Sequence, residues 1–580
     1  MHRITAGLLK EFVQSYELNE MDQADQFERL VNHCVITPEV VEGYDLSDVT
    51  SGSGDDGIDG CCVIIDEEVI ISSDDCISTL GDGRRSHAVK LILTQAKSSE
   101  TLDLGDFLKF NAAVERFCHD FSDVPEDEIQ ANVKEVYGAV VDRAGAISNG
   151  KLEIVLRYAY TGRYLKPREF ERARQELTKK LKEGGYFSKV DYLILDREGI
   201  GKAFVATSAP IEAKIDVFSV AALPAIAGVE EAYLAVVPAK NFVRNMLMDG
   251  DEDRLRTHVF EENVRAFLGA ENPVNSAIGN TIQSKESKSR FPVLNNGITV
   301  VSPDVRVQGL SISFINFQIV NGCQTSNMLW LNRNKLDDAM MVAVKVIETD
   351  SEDVFSDLVK ATNSQTKIDD DQFMSLQPIA RRIEEYFNSY SEDESRLYFE
   401  RRDRQYVGQD VPGIKIFDLK LLARCMSSVF LGRPDLAYRF PRKIFSDQSI
   451  SSAAFSPENR DIIYYTSCLV YYRMSILFGN KQIPAEARRY KWHIMALFAR
   501  RVAGAKMPTL RDKKIEKWCS SIIDVIVDNP KLCKQVMNEC YEAIAALGEI
   551  SEDRLKRQAV YEQVLKAEAE KEKKSGAVTA

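Results

Sequence analysis

The sequence predicts an α/β chain, mixed α+β overall, that ends in a helical region. Three observations predict it. Val89–Lys97, VKLILTQAK, is a run of β-formers, and residues 106–117 after it carry apolar side chains at helical spacing. Leu152–Tyr160 and residues 190–195 are apolar runs separated by a polar helical stretch over 166–182. Strand–helix–strand favours a parallel pair. Beyond residue 410, the segments 462–477, 487–502 and 515–527 are apolar at helical spacing, and 553–574, rich in Ala, Glu, Lys and Gln, reads as a surface helix.

A chain of 580 residues is too long for one ordinary domain. The expected division is 1–200, 201–410 and 411–580. Apolar content of 44% is enough for substantial cores. No uninterrupted apolar run of about 18 or more residues occurs, so no membrane partner is expected. The N-terminus lacks a secretory apolar region, and the eleven cysteines show no metal-finger spacing. Reduced core thiols in a cytoplasmic protein are the expectation.

Residues 27, 30 and 31 (Phe, Leu, Val) give the first part of the chain a helix, and Glu28 sits beside its apolar face. Next comes Gly57-Ile58-Asp59-Gly60, a Gly-rich turn before the apolar run Cys61–Ile65. Asp55 and Asp56 are rival carboxylates, but only Asp59 lies in the Gly-x-Asp-Gly context. The stretch from 66 to 88 contains a short apolar run, 69–71, and a polar tract, 81–85, which read as an inserted hairpin or strand and a loop. In the strand Val89–Lys97, Gln95 and Lys97 point the same way and Ala96 points back. Two neighbouring strands would bring Asp59, Gln95 and Lys97 to one edge. Carboxylate and amide oxygens suit a hard divalent cation, Mg²⁺ or Mn²⁺, and a lysine adds positive charge. The plainer reading is an edge strand whose surface Gln and Lys have no chemical role.

The order Glu28, Asp59, Gln95-x-Lys97 resembles the PD-(D/E)xK nuclease superfamily, closest to its Mrr-like branch, where Gln replaces an acid. The resemblance implies a restriction-endonuclease-like αβ sandwich for residues 1–200. It implies hydrolysis of phosphodiesters, with Glu28, Asp59 and Gln95 holding the metal and Lys97 beside the attacking water. The gap from Asp59 to Gln95 is long for that superfamily.

A net charge of −14 argues against indiscriminate coating of nucleic acid. The charge is uneven, however: from Lys481 to Lys517 there are 11 Lys or Arg against 3 Asp or Glu. Arg488, Arg489, Lys491, Arg500 and Arg501, with Tyr490 and Trp492 among them, read either as a solvated basic helix face or as a nucleic-acid track.

In the second half, residues 259–269 read as a helix closed by Gly269, and 277–282 as another helical segment. Asn295-Asn296-Gly297 is a turn signal, and Asn321-Gly322 ends a strand and opens a helix near Thr325. Together with Asn263, Arg265, Asn275, Gln324, Ser326, Asn363 and Gln365, these motifs resemble the bacterial abortive-infection phage-resistance (AIPR) family over roughly residues 240–410. Cys323 stands where that family more usually has Gly or Gln. The resemblance implies antiphage defence. The AIPR positions Asn295, Asn296, Gly297, Asn321, Gly322, Gln324, Thr325, Asn363 and Gln365 are amides, glycines and a hydroxyl. They suit hydrogen-bonded recognition or a polar core more than proton transfer.

The expectation is thus a Mg²⁺-dependent DNA endonuclease regulated or targeted by an AIPR domain, responding to a phage-derived or defence-system partner. A non-catalytic nucleic-acid sensor and a growth-halting RNA nuclease are the alternatives. Cutting both strands of a duplex asks for two centres, so a homodimer is expected, with surplus apolar faces of the helices after residue 410 as its interface.

Overall fold

The computed structural model describes residues 1–40, 43–52, 57–81, 87–208, 211–248, 255–260, 272–284, 286–351, 354–355, 357–358, 361, 377–391, 395–401, 405–406, 409, 411–438, 444–445, 447–548 and 550–578. The chain forms two units, one made of Met1–Ser208 with Gln377–Ala580, the other of Ala209–Leu376. These units are bounded differently from the expected three-part division. The C-terminal helices fold with the N-terminal sheet, and the middle unit stops near residue 376 rather than 410.

The first unit is built on a five-stranded sheet. Helices α1 (Arg3–Tyr16) and α2 (Gln23–Ile36) precede strand β1 (Gly60–Ile65) and the short β2 (Glu68–Ile70). Strand β3 (Val89–Lys97) is followed by helices α3 (Leu104–His119) and α4 (Glu128–Val141). Strand β4 (Leu152–Tyr160), helix α5 (Arg168–Glu183) and strand β5 (Phe187–Leu195) complete the sheet, in the order β2-β1-β3-β4-β5. β1 runs antiparallel to β2 and β3, while β3, β4 and β5 are parallel. The 66–88 insertion begins as the expected hairpin, with Asp66 and Glu67 at positive φ in its turn. It continues in a helix, Ser73–Leu80, that the sequence reading did not anticipate, and residues 82–86 of the polar tract lie outside the described residues.

The period-two pattern decides what each face buries. Cys61, Val63, Leu91, Leu93, Ile154 and Leu156 join Phe107, Phe110, Val114 and Val136 in one core. Cys62, Ile64, Ile92, Ala96, Val155 and Ala159 join Phe27, Leu30 and Val31 of α2 in the other. Both faces are covered, which explains why these strands read as continuous apolar runs. A further helix, α6 (Arg197–Ser208), occupies a stretch whose two glycines lower helix propensity. Asp196 compensates by accepting the backbone N–H groups of Glu198 and Gly199 at 3.1 and 3.0 Å.

The second unit holds a five-stranded and a three-stranded sheet. Its functional candidates lie around strand β6 (Ile298–Ser302), strand β7 (Gln318–Asn321) and helix α7 (Cys323–Leu331). Gly297 (φ 80°) and Gly322 (φ 99°) take the left-handed backbone that the turn signals require. The expected helix over 277–282 is Pro273–Gln283, while 261–269 of the other expected helix fall outside the described residues.

The helical remainder of the first unit includes α8 (Leu419–Val429), α9 (Ile462–Gly479), α10 (Lys491–Ala503), α11 (Lys514–Val527) and α12 (Pro530–Ala545). α9 is almost wholly buried, and α8, α10 and α11 pack on it. Among the described residues after 410, Leu532 is the exposed large apolar side chain. The surplus apolar faces expected for a dimer interface are therefore absent there: these faces complete the core. No helix among the described residues is long and apolar enough to cross a membrane. All eleven cysteines are buried, and none forms a disulfide.

Within the basic stretch, the residues Arg488, Arg489, Lys491, Arg500 and Arg501 are buried or half-buried. Lys491 is 8% exposed, and its Nζ lies 2.7 Å from Asp48 and 3.6 Å from Asp45. Burial raises the Asp45 carboxyl, but Lys491 and the Ser47 hydrogen bonds outweigh it and hold Asp45 well below the usual carboxylate range. Replacing Lys491 with Ala leaves two carboxylates without their cation. It should cost about 3–5 kcal/mol, the usual penalty for breaking one side of a buried pair. Urea unfolding of the variant against the parent protein measures it, and a change under about 1 kcal/mol would show that the pair does not hold this end of α10.

Candidate active site

Asp59 immediately precedes the start of β1. Its backbone N–H donates to Thr94 O at 2.9 Å, as a strand residue would. Its carboxylate then takes the next place in the ladder, Oδ2 accepting Ala96 N–H at 2.7 Å. The Gln95 amide nitrogen donates to the same oxygen. The structure thus brings Asp59 and Gln95 together as the strand reading expects. Lys97, half-buried, acts electrostatically on Asp59, and Asp59 and Lys97 both act on Glu28 of α2.

The flanking glycines have physical causes. Gly57 has φ 84°. A Cβ on Gly60 would lie 2.1 Å from Asn32 Oδ1. Asn32, one helical turn after Glu28, donates to Thr50 Oγ1 at 3.1 Å and to Asp59 O at 3.3 Å, and accepts from Thr94 Oγ1 at 2.5 Å. It clamps α2 to the start of β1 and to β3. The sequence reading missed it; its one signal was the i, i+4 relation to Glu28, which puts both on one helix face. Asp55 and Asp56 lie outside the described residues.

Negative charge accumulates here. Burial, followed by Asp59, Asp25 and Asp22, pushes the Glu28 carboxyl up to about 8 against the pull of Lys97. Burial pushes Asp59 up to about 6, against the Ala96 N–H, Lys97 and Gln95. Asp25 is paired with Lys481, and Asp22 caps α2 by accepting from Ala24 and Asp25 N–H. Among the described residues no group of three or more His, Cys, Asp or Glu side chains could hold a metal. The donor set here is two carboxylates and an amide. It is compatible with Mg²⁺, which keeps several waters and binds through one or two carboxylates. The Gln95 amide presents its oxygen instead of its nitrogen after a half-turn about its last side-chain bond.

The five basic candidates do not form a free track. Arg488 Nη1 donates to Ser47 O at 3.1 Å, and Arg489 Nη2 to Ile550 O at 2.5 Å. Lys491 is bound to Asp48, and Arg501 forms a double hydrogen bond to Glu568. Arg500 is half-buried. Tyr490 and Trp492 are buried, Trp492 at 1% exposure, so neither offers a face for a base to stack on. The aromatic interleaving is the signature of a packed helix rather than of a strand-binding groove.

The AIPR positions of the middle unit knit loops together. Thr325 Oγ1 donates to Asn295 Oδ1 at 2.9 Å. The buried Asn275 donates to Gln324 Oε1 at 2.8 Å. A Cβ on Gly322 would lie 2.9 Å from Ile298 Cγ1, and one on Gly297 2.9 Å from Ala343 O. Gly297 and Gly322 therefore let β6, β7 and the start of α7 approach closely. Asn321 is half-buried and Asn296 exposed, while Asn363 and Gln365 lie outside the described residues.

Neither a search of curated proteins nor one of solved structures gives a match. The family model described as AIPR protein matches residues 260–564. That is more than half of the chain, and it takes in both the knitted loops and the helices α8 to α12. The match runs well past the 240–410 region that carried the resemblance. The chain therefore belongs to the AIPR family, a membership that points to antiphage abortive-infection defence.

Proposed function

We propose that this is a cytoplasmic antiphage nuclease that hydrolyses DNA phosphodiesters with Mg²⁺ or Mn²⁺ at the Asp59 end of the sheet. The observation that carries the reading is the convergence of Asp59, Gln95, Lys97 and Glu28 at one edge, with two carboxyls whose charged forms are disfavoured until a cation arrives. Glu28, Asp59 and Gln95 would hold the ion. When bound, it would supply positive charge to the phosphate and lower the pKa of a neighbouring water.

The chain's own residues do the rest. The Ala96 N–H orients Asp59, and the clamp from Asn32 keeps α2, and with it Glu28, over the strand ends. Lys97 places an ammonium beside the substrate phosphate. Near neutral pH, Glu28 holds a proton on its carboxyl. The AIPR positions, being hydrogen-bonded loop ties, target or regulate rather than react. Because Arg488, Arg489, Lys491 and Arg501 are engaged inside the protein, the DNA contact would come from elsewhere or from a partner, which agrees with a net charge of −14. A two-fold dimer would still provide the two centres that a double-strand break needs. The sensor reading has one observation in its favour, the amide at position 95 where a third carboxylate would bind metal more tightly.

Asp59→Asn and Lys97→Ala should each reduce plasmid cleavage in Mg²⁺ or Mn²⁺. Outer-shell partners of a metal are worth roughly 10–100-fold, so loss of a ligand should reach at least about 100-fold. Gel assays with DNA and with total RNA, with and without EDTA, measure this. Cleavage by folded Asp59→Asn at the parent rate would remove the assignment.

The raised carboxyls also set a pH dependence. Glu28 has a folded value of about 8 against 4.5 ordinarily. Its contribution to stability is complete below 4.5 and is lost as the pH climbs through about 8. Without divalent cations, thermal stability should therefore fall across this window. Glu28→Gln, neutral throughout, should flatten the fall. Melting curves at several pH values compare the two proteins, and an equal slope in both would dissociate Glu28 from the acidic cluster.

A further inference from the structure

Beside α2, where Arg29 and His33 project, is a cavity of about 230 Å³. Its walls come from α1 and α2, from the loop at residues 43–47 and from the family-matched segment, including Phe417, Asp418 and Tyr471. All belong to the first unit. Arg29 lines it, 6% exposed, and its Nε has no hydrogen-bond partner. No hydrogen bond or ion pair from its guanidinium occurs among the described residues. A buried charged donor without an acceptor costs the fold free energy. The position is therefore better explained by a ligand than by packing.

The carboxylates nearby are already engaged. Asp45 Oδ1 accepts from Ser47 N and Oγ at 2.9 and 2.6 Å, and its Oδ2 accepts from Tyr471 O–H at 2.8 Å. Asp418 Oδ1 caps α8 by accepting from Leu421 N–H at 2.7 Å, and Oδ2 accepts from Gly43 N–H at 3.2 Å. The group still wanting a partner is the Arg29 guanidinium, and the partner must bring acceptors. Asp45, Asp418 and Glu400 on the walls disfavour a polyphosphate. Tyr16, Tyr44, Phe417 and Tyr471 favour a flat ring. The volume lies below the roughly 300 Å³ of pockets for drug-sized ligands, which limits the occupant to one small molecule. A guanine edge offers two adjacent acceptors, O6 and N7, to an arginine fork.

From these observations we infer that the cavity is a binding site for a free guanine nucleoside, with its acceptor edge on Arg29 and its ring among the tyrosines. The same chemistry is available from a base of a nucleic-acid strand, so both sources enter the test. The site is distinct from Asp59, and its test reads binding alone, independent of cleavage or metal.

Isothermal titration of the full chain with guanosine should show saturable binding. Arg29→Met keeps the apolar stem and removes the fork. It should weaken guanosine about tenfold or more, the worth of one bidentate arginine–guanine pair. If Arg29→Met fails to fold, Ser475→Leu serves instead. It adds bulk at a half-buried lining position and should block guanosine while leaving the melting curve near that of the parent. No binding of guanosine at about millimolar concentration, adenosine bound as tightly as guanosine, or parent-like affinity in a folded Arg29→Met or Ser475→Leu variant, would overturn the inference. So would Arg29-dependent binding of a short guanine-containing DNA strand without binding of guanosine.

Discussion

A single carboxylate in place of a backbone carbonyl organises the candidate site at the end of the N-terminal sheet. Where β1 gives way to the preceding turn, Asp59 Oδ2 receives the Ala96 N–H, so the ladder with β3 continues through a side chain. An acceptor that is part of the ladder cannot swing away. The register of Gly60 against Thr94 is then set, and Gln95 and Lys97 fall on the same side of the strand at its end. The absence of a side chain at position 60 admits Asn32, and Asn32 in turn fixes the distance of α2. The acidic residues of α2 are therefore held near a second buried carboxyl at an electrostatic cost.

That cost is informative. Two carboxyls with raised pKa values in one place are poor architecture for a purely structural strand edge, where a neutral pair would hold as well. They make sense at a place that receives positive charge. Lys97 supplies some of it, and Lys481 supplies more to Asp25 from the end of α9. The helices matched by the family thus touch the same acidic surface of α2 that faces the sheet. Family-matched helices and sheet form one unit, so whatever perturbs the end of α9 acts on α2 directly.

Much of this was legible in the sequence where the signal is local. The strands Val89–Lys97 and Leu152–Tyr160 were, because period-two burial on both faces gives long apolar runs. The positive-φ turns at Gly297 and Gly322 were, because glycine is the residue such turns demand. The pairing of Asp59 with Gln95 followed from strand alternation together with the expectation that the two strands are neighbours. α6 was not legible, because its glycines hide a helix that a cap and one buried Ile200 sustain. The Asn32 clamp was not legible either, since an asparagine on a helix acquires its meaning from a glycine 28 positions later (60 − 32).

The basic stretch shows where composition misleads. Counting Lys and Arg over 481–517 treats each charge as solvated, yet a cation's effect on phosphate depends on which anion already holds it. Lys491 serves Asp48, Arg501 serves Glu568, and Arg488 reaches a backbone carbonyl. These three charges join α10 and its approach to other elements, and the interleaved Trp492 is a core side chain. In Arg29 the same reasoning runs in reverse. A residue that looks like ordinary helix surface in the sequence is enclosed without a partner, beside carboxylates whose lone pairs are committed elsewhere. Satisfied cations explain a fold, whereas an enclosed and unsatisfied one asks for something that the chain itself does not contain.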